Sequence, residues 1–307
     1  MTRAPDPGVV RAVARVDLGA VRANVARLRE VAPTAALMAV VKADGYGHGM
    51  LEVGRAARAA GAEWLGVAFV SEALALRAGG DTGRVLALLL STPDDLVAAV
   101  AADIDLSVGS IDQLQAVVRA AAAADARARV HLEFDSGLGR GGARVPEWVP
   151  LCAAAVASTG VDVVGLWSHF ARADEPGERT NDTQAAAFAA AVAKAESCGV
   201  RPEVRHLANS AATLTRPGDH WDLVRPGIAL YGLSPGPALG TARELGLRPA
   251  MTLEGTVALA KDVPAGEGVS YGHRYLTPAA TRLAVVPLGY ADGVPRHASS
   301  TGEVLGR

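Results

Sequence analysis

Short apolar runs alternate with amphipathic, alanine-rich runs from about residue 17 to residue 232. Continuous apolar runs of this length predict strands that are buried on both faces. The predicted strands are 37–42, 64–69, 85–90, 105–108, 130–134, 161–167, 204–207 and 227–231. The runs between them predict helices over 18–31, 71–78, 93–102, 111–124, 146–157 and 182–197.

Eight strands alternating with helices predict an α/β fold with a parallel sheet, closed into a (β/α)8 barrel of the TIM type. An open doubly wound sheet is the structural alternative. After residues 235–237 the pattern changes to β-like runs over 252–259 and 282–288, separated by Gly/Pro turns. We therefore predict a barrel over 17–240 and a smaller β-domain over 241–307, which the tail and strand of residues 1–16 join.

Composition narrows the class of protein. Of 307 residues, 50% are hydrophobic and 20% charged, which is typical of a globular chain. The net charge of −2, without a basic stripe, argues against nucleic acid as a partner. Cys152 and Cys198 lie in helix-like segments and predict neither a disulfide framework nor a metal site. Neither a signal peptide nor a membrane span is evident, so we expect a cytoplasmic protein.

The segment 39–49, Ala-Val-Val-Lys-Ala-Asp-Gly-Tyr-Gly-His-Gly, carries the strongest chemical signal. Lys42 ends a predicted buried strand, and lysine is rarely buried without a partner or a task. Desolvation lowers the pKa of a lysine and makes it a good amine for Schiff-base chemistry with an aldehyde. Tyr46 follows four residues later and can face the same site. The structural alternative is a lysine that extends its ammonium group to solvent beside a glycine turn.

Further polar residues follow other predicted strands, at the end where barrel enzymes place their sites. These are Ser168-His169 after the sixth strand, Asn209-Ser210 after the seventh and Arg225-Pro226-Gly227-Ile228 at the eighth. Each alone has an ordinary structural interpretation: a hydrogen-bonded histidine, a helix N-cap and a turn arginine. Hydroxyls and backbone N–H groups of the second and third segments can also bind a phosphate.

In this order, these motifs resemble the alanine racemases, enzymes of fold type III that use pyridoxal phosphate, over nearly all of residues 10–300. The resemblance implies that Lys42 carries the cofactor. It implies further cofactor contacts from Tyr46, His169, Asn209, Ser210, Arg225, Gly227 and Ile228. In the family an arginine stands beside the pyridine nitrogen. Because arginine does not release its proton, that nitrogen stays neutral, which disfavours transamination.

The segment 266–272, Gly-Glu-Gly-Val-Ser-Tyr-Gly, resembles the second catalytic segment of the family. The resemblance implies that Tyr271 is the base opposite Lys42, reaching it from the other subunit of a head-to-tail homodimer. It also implies that Arg140 binds the substrate and that Asp174, Tyr290 and Arg296 line its entrance. The implied reaction interconverts L-alanine and D-alanine through a pyridoxal-phosphate aldimine by a two-base mechanism, supplying D-alanine for peptidoglycan.

Two departures from the family accompany this match. Glu133 stands where many members have a lysine, often carbamylated, that pairs with the equivalent of Arg140. We predict that Glu133 supplies the same negative charge and forms an ion pair with Arg140; an exposed strand glutamate is the alternative. Family members also continue beyond Arg307, so we expect the β-domain to be incomplete.

Alternative functions are an amino-acid racemase of broader range and a non-catalytic pyridoxal-phosphate-binding barrel. The second alternative would be a pyridoxal-phosphate carrier. The family of such carriers lacks the β-domain, so the motifs of Tyr271 and Tyr290 argue against it.

Overall fold

The computed structural model describes residues 11–91 and 94–306, which divide into two units. The larger unit is Asp17–Ala250. The smaller unit combines the described N-terminal residues up to Val16 with the residues from Met251 onward. In the described part of the chain, no helix is both long enough and apolar enough to cross a membrane.

Eight parallel strands form the sheet of the larger unit. Numbered after the N-terminal strand β1 (Ala12–Val16), they are β2 (Ala36–Val40), β3 (Trp64–Val67), β4 (Arg84–Ala87), β5 (Asp105–Val108), β6 (Ala128–Glu133), β7 (Val161–Trp167), β8 (Val204–His206) and β9 (Leu223–Val224). Their order in the sheet is β9-β2-β3-β4-β5-β6-β7-β8. The end strands approach each other: the N–H groups of Asp222 and Arg225 donate to the carbonyls of Arg205 (3.0 Å) and Ala208 (2.9 Å). These bonds nearly close the sheet, so the predicted (β/α)8 barrel is confirmed.

Alternate residues of each strand face opposite sides of the barrel wall. In β2, Leu37 packs in the main core between the sheet and the helices, whereas Met38 belongs to a separate cluster that includes Trp64 and Leu86. This second cluster lies inside the barrel. The same alternation turns Val40 inward, toward a cavity at the carboxyl ends of the strands. The apolar pattern thus fixes which side chains reach the site.

Eight helices of the larger unit lie among the described residues: Leu18–Val31, Met50–Ala59, Val70–Ala78, Leu96–Ala101, Ile111–Ala123, Val145–Ala157, Arg179–Ser197 and Ser210–Thr215. Side-chain caps fix several starts. Asp17 accepts hydrogen bonds from the N–H groups of Gly19 and Ala20, and Ser110 accepts one from Gln113. Pro93, the predicted start of one helix, lies outside the described residues. The sequence prediction omitted the helices Met50–Ala59 and Ser210–Thr215.

The predicted strand 227–231 is wrong. The eighth strand is Leu223–Val224, and Ile228–Tyr231 is a 3-10 helix. A buried apolar run of four residues has the same sequence pattern in either conformation, so periodicity cannot separate them. Tertiary contacts decide: Asn24, buried on the first helix, donates to the carbonyls of Leu230 (2.9 Å) and Arg248 (2.8 Å).

The smaller unit consists of three antiparallel strand pairs. These are β1 with β10 (Met251–Gly255), β11 (Leu259–Val263) with β14 (Thr281–Val285), and β12 (Gly268–Val269) with β13 (Tyr275–Leu276). Residues 241–250, which the sequence assigned to this β-domain, belong to the larger unit. Leu247 and Ala250 are buried in its core, so the structure places the boundary ten residues later than the sequence did.

Candidate active site

The candidate site is a cavity of about 340 Å³ at the carboxyl ends of the barrel strands. Every site residue predicted in the larger unit lines it: Lys42, Tyr46, Arg140, His169, Asp174, Asn209, Ser210, Arg225, Gly227 and Ile228. These residues are far apart in sequence, and the barrel brings them together because parallel strands end at one face.

Lys42 follows β2 at the start of a left-handed turn, Lys42–Gly47. Three residues of this turn that carry a Cβ atom have φ of 52–53°: Ala43, Asp44 and Tyr46. Such backbone costs about 1–2 kcal/mol per residue, so the turn depends on fixed partners. The Glu72 carboxylate accepts a hydrogen bond from Ala43 N–H (2.6 Å), and Asp44 accepts one from Met50 N–H (2.9 Å). The turn therefore presents Lys42 in a defined position.

The ammonium group of Lys42 lies among other charges. Its Nζ atom is 5.9 Å from the ring centre of Tyr46. Burial lowers the pKa of Lys42, the positive charge of Arg140 lowers it further, and the carboxylate of Glu72 opposes the shift. A lowered pKa increases the fraction of neutral amine, which is the form that attacks an aldehyde or accepts a proton.

The hydroxyl of Ser210 organises one wall of the cavity. It accepts hydrogen bonds from the N–H groups of Gly227 (2.8 Å) and Ala229 (3.3 Å), so its own hydrogen remains available for donation. Asn209 caps the following helix through Ala212 N–H (3.1 Å). The backbone N–H groups of Ser210, Ala211 and Ile228 make no hydrogen bond to other described residues.

Gly227 allows the close approach of Tyr46 to this wall. A Cβ atom built on Gly227 would lie 2.5 Å from the Tyr46 hydroxyl oxygen, closer than real contacts allow. The absence of a side chain at Gly227 therefore brings the Tyr46 hydroxyl beside the free N–H groups. This wall offers hydroxyl and N–H donors without a carboxylate, which suits a phosphate group.

Arg225 follows β9 and points into the barrel, with 4% of its surface exposed. Its Nη1 donates to His206 Nδ1 (2.9 Å), and its Nη2 donates to the Ser168 carbonyl (2.9 Å) and to His169 Nδ1 (3.1 Å). The guanidinium carbon lies 4.9 Å from the ring centre of Trp167. Burial lowers the pKa of Arg225 to about 9, so the group is still protonated at neutral pH.

His169 is held as a neutral imidazole. Burial lowers its pKa to about 3, and the positive charges of Arg225, Arg140 and Lys42 add to this effect. Because Nδ1 accepts a hydrogen bond from Arg225, the single proton is on Nε2. Gln184 fixes the adjoining loop by donating to the His169 carbonyl (3.1 Å).

Glu133 does not form the predicted ion pair with Arg140. It is 6% exposed, which also excludes the exposed-strand alternative. Its carboxylate lies against the backbone of Gly141, where a Cβ atom would be 3.0 Å from Glu133 Oε2. The Arg140 side chain is exposed, and the short glutamate stem does not reach it. Burial raises the pKa of Glu133 to about 7, although the charges of Arg140 and Arg225 oppose the rise.

Tyr271, Tyr290 and Arg296 belong to the smaller unit. Each lies in a short 3-10 turn: Tyr271–His273, Tyr290–Asp292 and Arg296–Ala298. All three side chains are exposed, and Tyr271 reaches 82%.

Sequence reasoning missed several residues that shape the site. Trp167 stacks against the Arg225 guanidinium, and its place directly before Ser168-His169 at a strand end was an available signal. His206 and Gln184 contact the site residues Arg225 and His169 from distant segments, and Glu72 binds the backbone of Ala43, next to Lys42. Each has an ordinary sequence context, so only the fold reveals its role.

Comparison with known proteins identifies close relatives. A family model described as "Alanine racemase, N-terminal domain" matches residues 16–235, and its C-terminal counterpart matches residues 250–307. The alanine racemase of Streptomyces coelicolor is 55% identical over 305 residues, covering 97% of this chain and 78% of that protein. The alanine racemase of Frankia casuarinae is 55% identical over 299 residues, which cover 96% of this chain and 78% of that protein. The crystal structure of alanine racemase from D-cycloserine producing Streptomyces lavendulae superposes with a TM-score of 0.93 at 54% identity, with 96% and 78% covered.

We predict that Glu133→Gln stabilises the protein increasingly as pH rises from 5 to 8. The folded-state pKa of Glu133, about 7, exceeds the ordinary value of 4.5. In this window the folded state binds a proton that the unfolded state has released, so wild-type stability falls as pH rises. The neutral glutamine lacks this dependence, and the difference approaches about 3 kcal/mol at pH 8. Urea unfolding of both proteins measures it, with pH 4.5 as the internal control. A difference that stays constant with pH contradicts the prediction.

Proposed function

Because the chain belongs to the alanine racemase family, we propose that it interconverts L-alanine and D-alanine with pyridoxal phosphate bound in the barrel cavity. The product D-alanine serves peptidoglycan synthesis, and the cytoplasmic location stays a prediction from the sequence. The observation that carries the proposal is that all the site residues predicted in the larger unit line one cavity. The match of residues 250–307 to the C-terminal domain argues against a carrier built on the barrel alone.

The cavity fits pyridoxal phosphate by its donor set. The hydroxyls of Tyr46 and Ser210 and the free N–H groups beside them would hold the phosphate. His169 would lie along the ring, and Arg225 would stand beside the ring nitrogen. Lys42 would carry the aldehyde carbon. Three cations, Lys42, Arg140 and Arg225, line the same cavity and offset the negative charge of the cofactor.

When bound, the cofactor supplies a reactive aldehyde and a conjugated ring that stabilises negative charge at the α-carbon of an amino acid. Lys42 then acts as a base on one face of the substrate. Its lowered pKa favours the neutral amine that accepts the α-proton. Arg140 lines the cavity and would bind the substrate carboxylate as a charge-assisted partner.

Arg225 directs the reaction toward racemisation. The guanidinium is a donor without acceptor capacity, so it cannot leave a proton on the ring nitrogen beside it. Beside this donor the ring nitrogen of the cofactor would stay unprotonated, and the ring would supply a weaker sink for negative charge, which favours return of the proton to the α-carbon. The fixed contacts of Nη1 and Nη2 keep the group in this orientation.

Tyr271 is the proposed base for the opposite face, supplied by a second copy in a head-to-tail homodimer. The support is the segment 266–272 and the exposure of Tyr271 in the smaller unit. Asp174, Tyr290 and Arg296 are proposed to line the route of the substrate into the site.

The decisive experiment measures D-alanine formed from L-alanine by chiral chromatography, with pyridoxal phosphate added. We expect turnover in both directions, and Lys42→Ala is expected to lower the rate at least 10²–10⁴-fold, the usual contribution of a positioned base. The chain has three lysines, Lys42, Lys194 and Lys261. Lys194→Ala, on an exposed helix face, is the matched control. Borohydride is expected to fix the cofactor to Lys42; an adduct on another lysine, or no D-alanine, contradicts the proposal.

Gly227→Ala tests the phosphate wall. The added methyl collides with the Tyr46 hydroxyl, so the Kd for pyridoxal phosphate is expected to rise about tenfold or more. Combining it with Tyr46→Phe removes the oxygen at 2.5 Å and leaves the ring carbon Cζ at 3.2 Å, so the double variant is expected to bind only slightly worse than Tyr46→Phe alone. Gly218→Ala is the control, because a Cβ atom there meets open space. Additive losses in the double variant would refute the assignment.

Mixing inactive subunits tests the shared site. Lys42→Ala and Tyr271→Phe proteins are each expected to lack activity. A mixed dimer holds one intact pair, so random exchange is expected to restore roughly a quarter of wild-type activity. Activity is measured after exchange has been shown with two affinity tags. No recovery in exchanged dimers would show that both bases come from one subunit.

A further inference from the structure

A line of buried polar side chains crosses the barrel interior beneath Arg225. Asp105 on β5, His131 on β6 and His206 on β8 are each 0% exposed. His131 Nε2 lies 3.1 Å from Asp105 Oδ2, and His131 Nδ1 lies 2.8 Å from His206 Nε2. His206 Nδ1 lies 2.9 Å from Arg225 Nη1. Four groups from four strand segments thus form one continuous chain of hydrogen bonds.

The protonation of both ends is fixed. Asp105 forms ion pairs with Arg84 (2.8 Å) and Arg129 (2.6 Å), so it is a carboxylate that only accepts. His131 must therefore donate to it from Nε2. At the other end the guanidinium of Arg225 only donates. His206 must therefore accept at Nδ1.

These two ends leave one arrangement for the middle. His206, with Nδ1 unprotonated, carries its proton on Nε2 and donates to His131 Nδ1. His131 accepts there and donates to Asp105 from Nε2. A second proton on His131 would place a donor against the Nε2–H of His206, so both imidazoles are neutral. Each hydrogen bond of the chain therefore has its donor on the side of Arg225 and its acceptor on the side of Asp105.

The neighbouring residues leave room for this chain of hydrogen bonds and enclose it. A Cβ atom on Gly165 would lie only 2.0 Å from His131 Nδ1, so glycine at this inward position makes room for the imidazole. Trp167 stacks on His206, with ring centres 5.9 Å apart and planes 5° apart. The edge contact of Trp64 with His131 completes the enclosure. The imidazoles can therefore neither rotate freely nor exchange partners with water.

We propose that Asp105, His131 and His206 are positioning residues that hold the guanidinium of Arg225 in one orientation for the racemisation. The inference rests on the proposed function. It gives a role to three buried polar groups that do not themselves line the cavity. Among the described residues the Nε atom of Arg225 has no acceptor, so with Nη1 and Nη2 anchored the Nε–H group remains available for donation. Asp105 sets this orientation from the opposite end of the barrel by fixing the tautomers between them.

The tautomers are measured directly by long-range 1H–15N NMR of the purified full-length protein, labelled in its seven histidines, at neutral pH. His131→Gln and His206→Gln assign the signals. We expect both residues to be neutral with the proton on Nε2. A protonated imidazole, or a proton on Nδ1 of either residue, overturns the proposal. This readout does not depend on racemase activity, so absence of D-alanine formation in the wild type would refute the proposed function alone.

A pair of variants tests the consequence for the reaction. His131→Gln can still donate to Asp105 and accept from His206, whereas His131→Leu can do neither and frees His206 to change tautomer. We expect His131→Leu to lower kcat about tenfold, with little change in KM, and to raise the pyruvate formed per racemisation turnover. For His131→Gln, both kcat and the pyruvate formed per racemisation turnover are expected to stay within about threefold of the wild-type values. An equal loss of kcat in both variants would show that His131 acts only through packing. An unchanged ratio of pyruvate to racemisation turnover in His131→Leu would show the same. If His131→Leu does not fold, the NMR result decides.

Discussion

The burial of one guanidinium constrains most of the barrel interior. A charge with 4% exposure must find hydrogen-bond acceptors, because its desolvation is otherwise costly. Arg225 obtains them from the backbone carbonyls of Ser168 and Leu207 and from two imidazoles rather than from a carboxylate. Neutral acceptors satisfy the group without cancelling its charge. The positive charge therefore remains available to the cavity, where it adds to the burial that lowers the pKa of His169.

The electrostatics of the cavity follow from this arrangement. Lys42, Arg140 and Arg225 line one space. Burial raises the pKa of Glu133 to about 7, although the charges of Arg140 and Arg225 act on it. An excess of positive charge suits an anionic cofactor and a substrate carboxylate, and it favours the neutral amine of Lys42. The left-handed turn contributes differently, by fixing the backbone that carries Lys42. Its strain is tolerated because Glu72 and Asp44 hold it through backbone N–H groups.

The sequence was informative where local pattern and chemistry coincide. Seven of the eight strands overlap their predicted positions, since a buried parallel strand is an apolar run bounded by turns. The first helix, Leu18–Val31, has its predicted bounds because Asp17 is a clear N-cap. Failures occurred where one pattern fits two structures. The run 228–231 reads equally as a strand or a helical turn, and residues 241–250 carry no signal for the unit on which they pack.

For this protein, the sequence by itself determined the alternation of strands and helices, the lysine at the end of the first barrel strand and the polar segments at later strand ends. These features are local, because they depend on periodicity and on chemical type at a position. The tertiary structure alone decided that Glu133 lies against Gly141 rather than against Arg140. It also decided that Asp105, His131 and His206 form one chain of hydrogen bonds beneath Arg225. Each of those contacts joins distant segments across the barrel, and its distance and direction depend on strand register and on the space left by glycines such as Gly165.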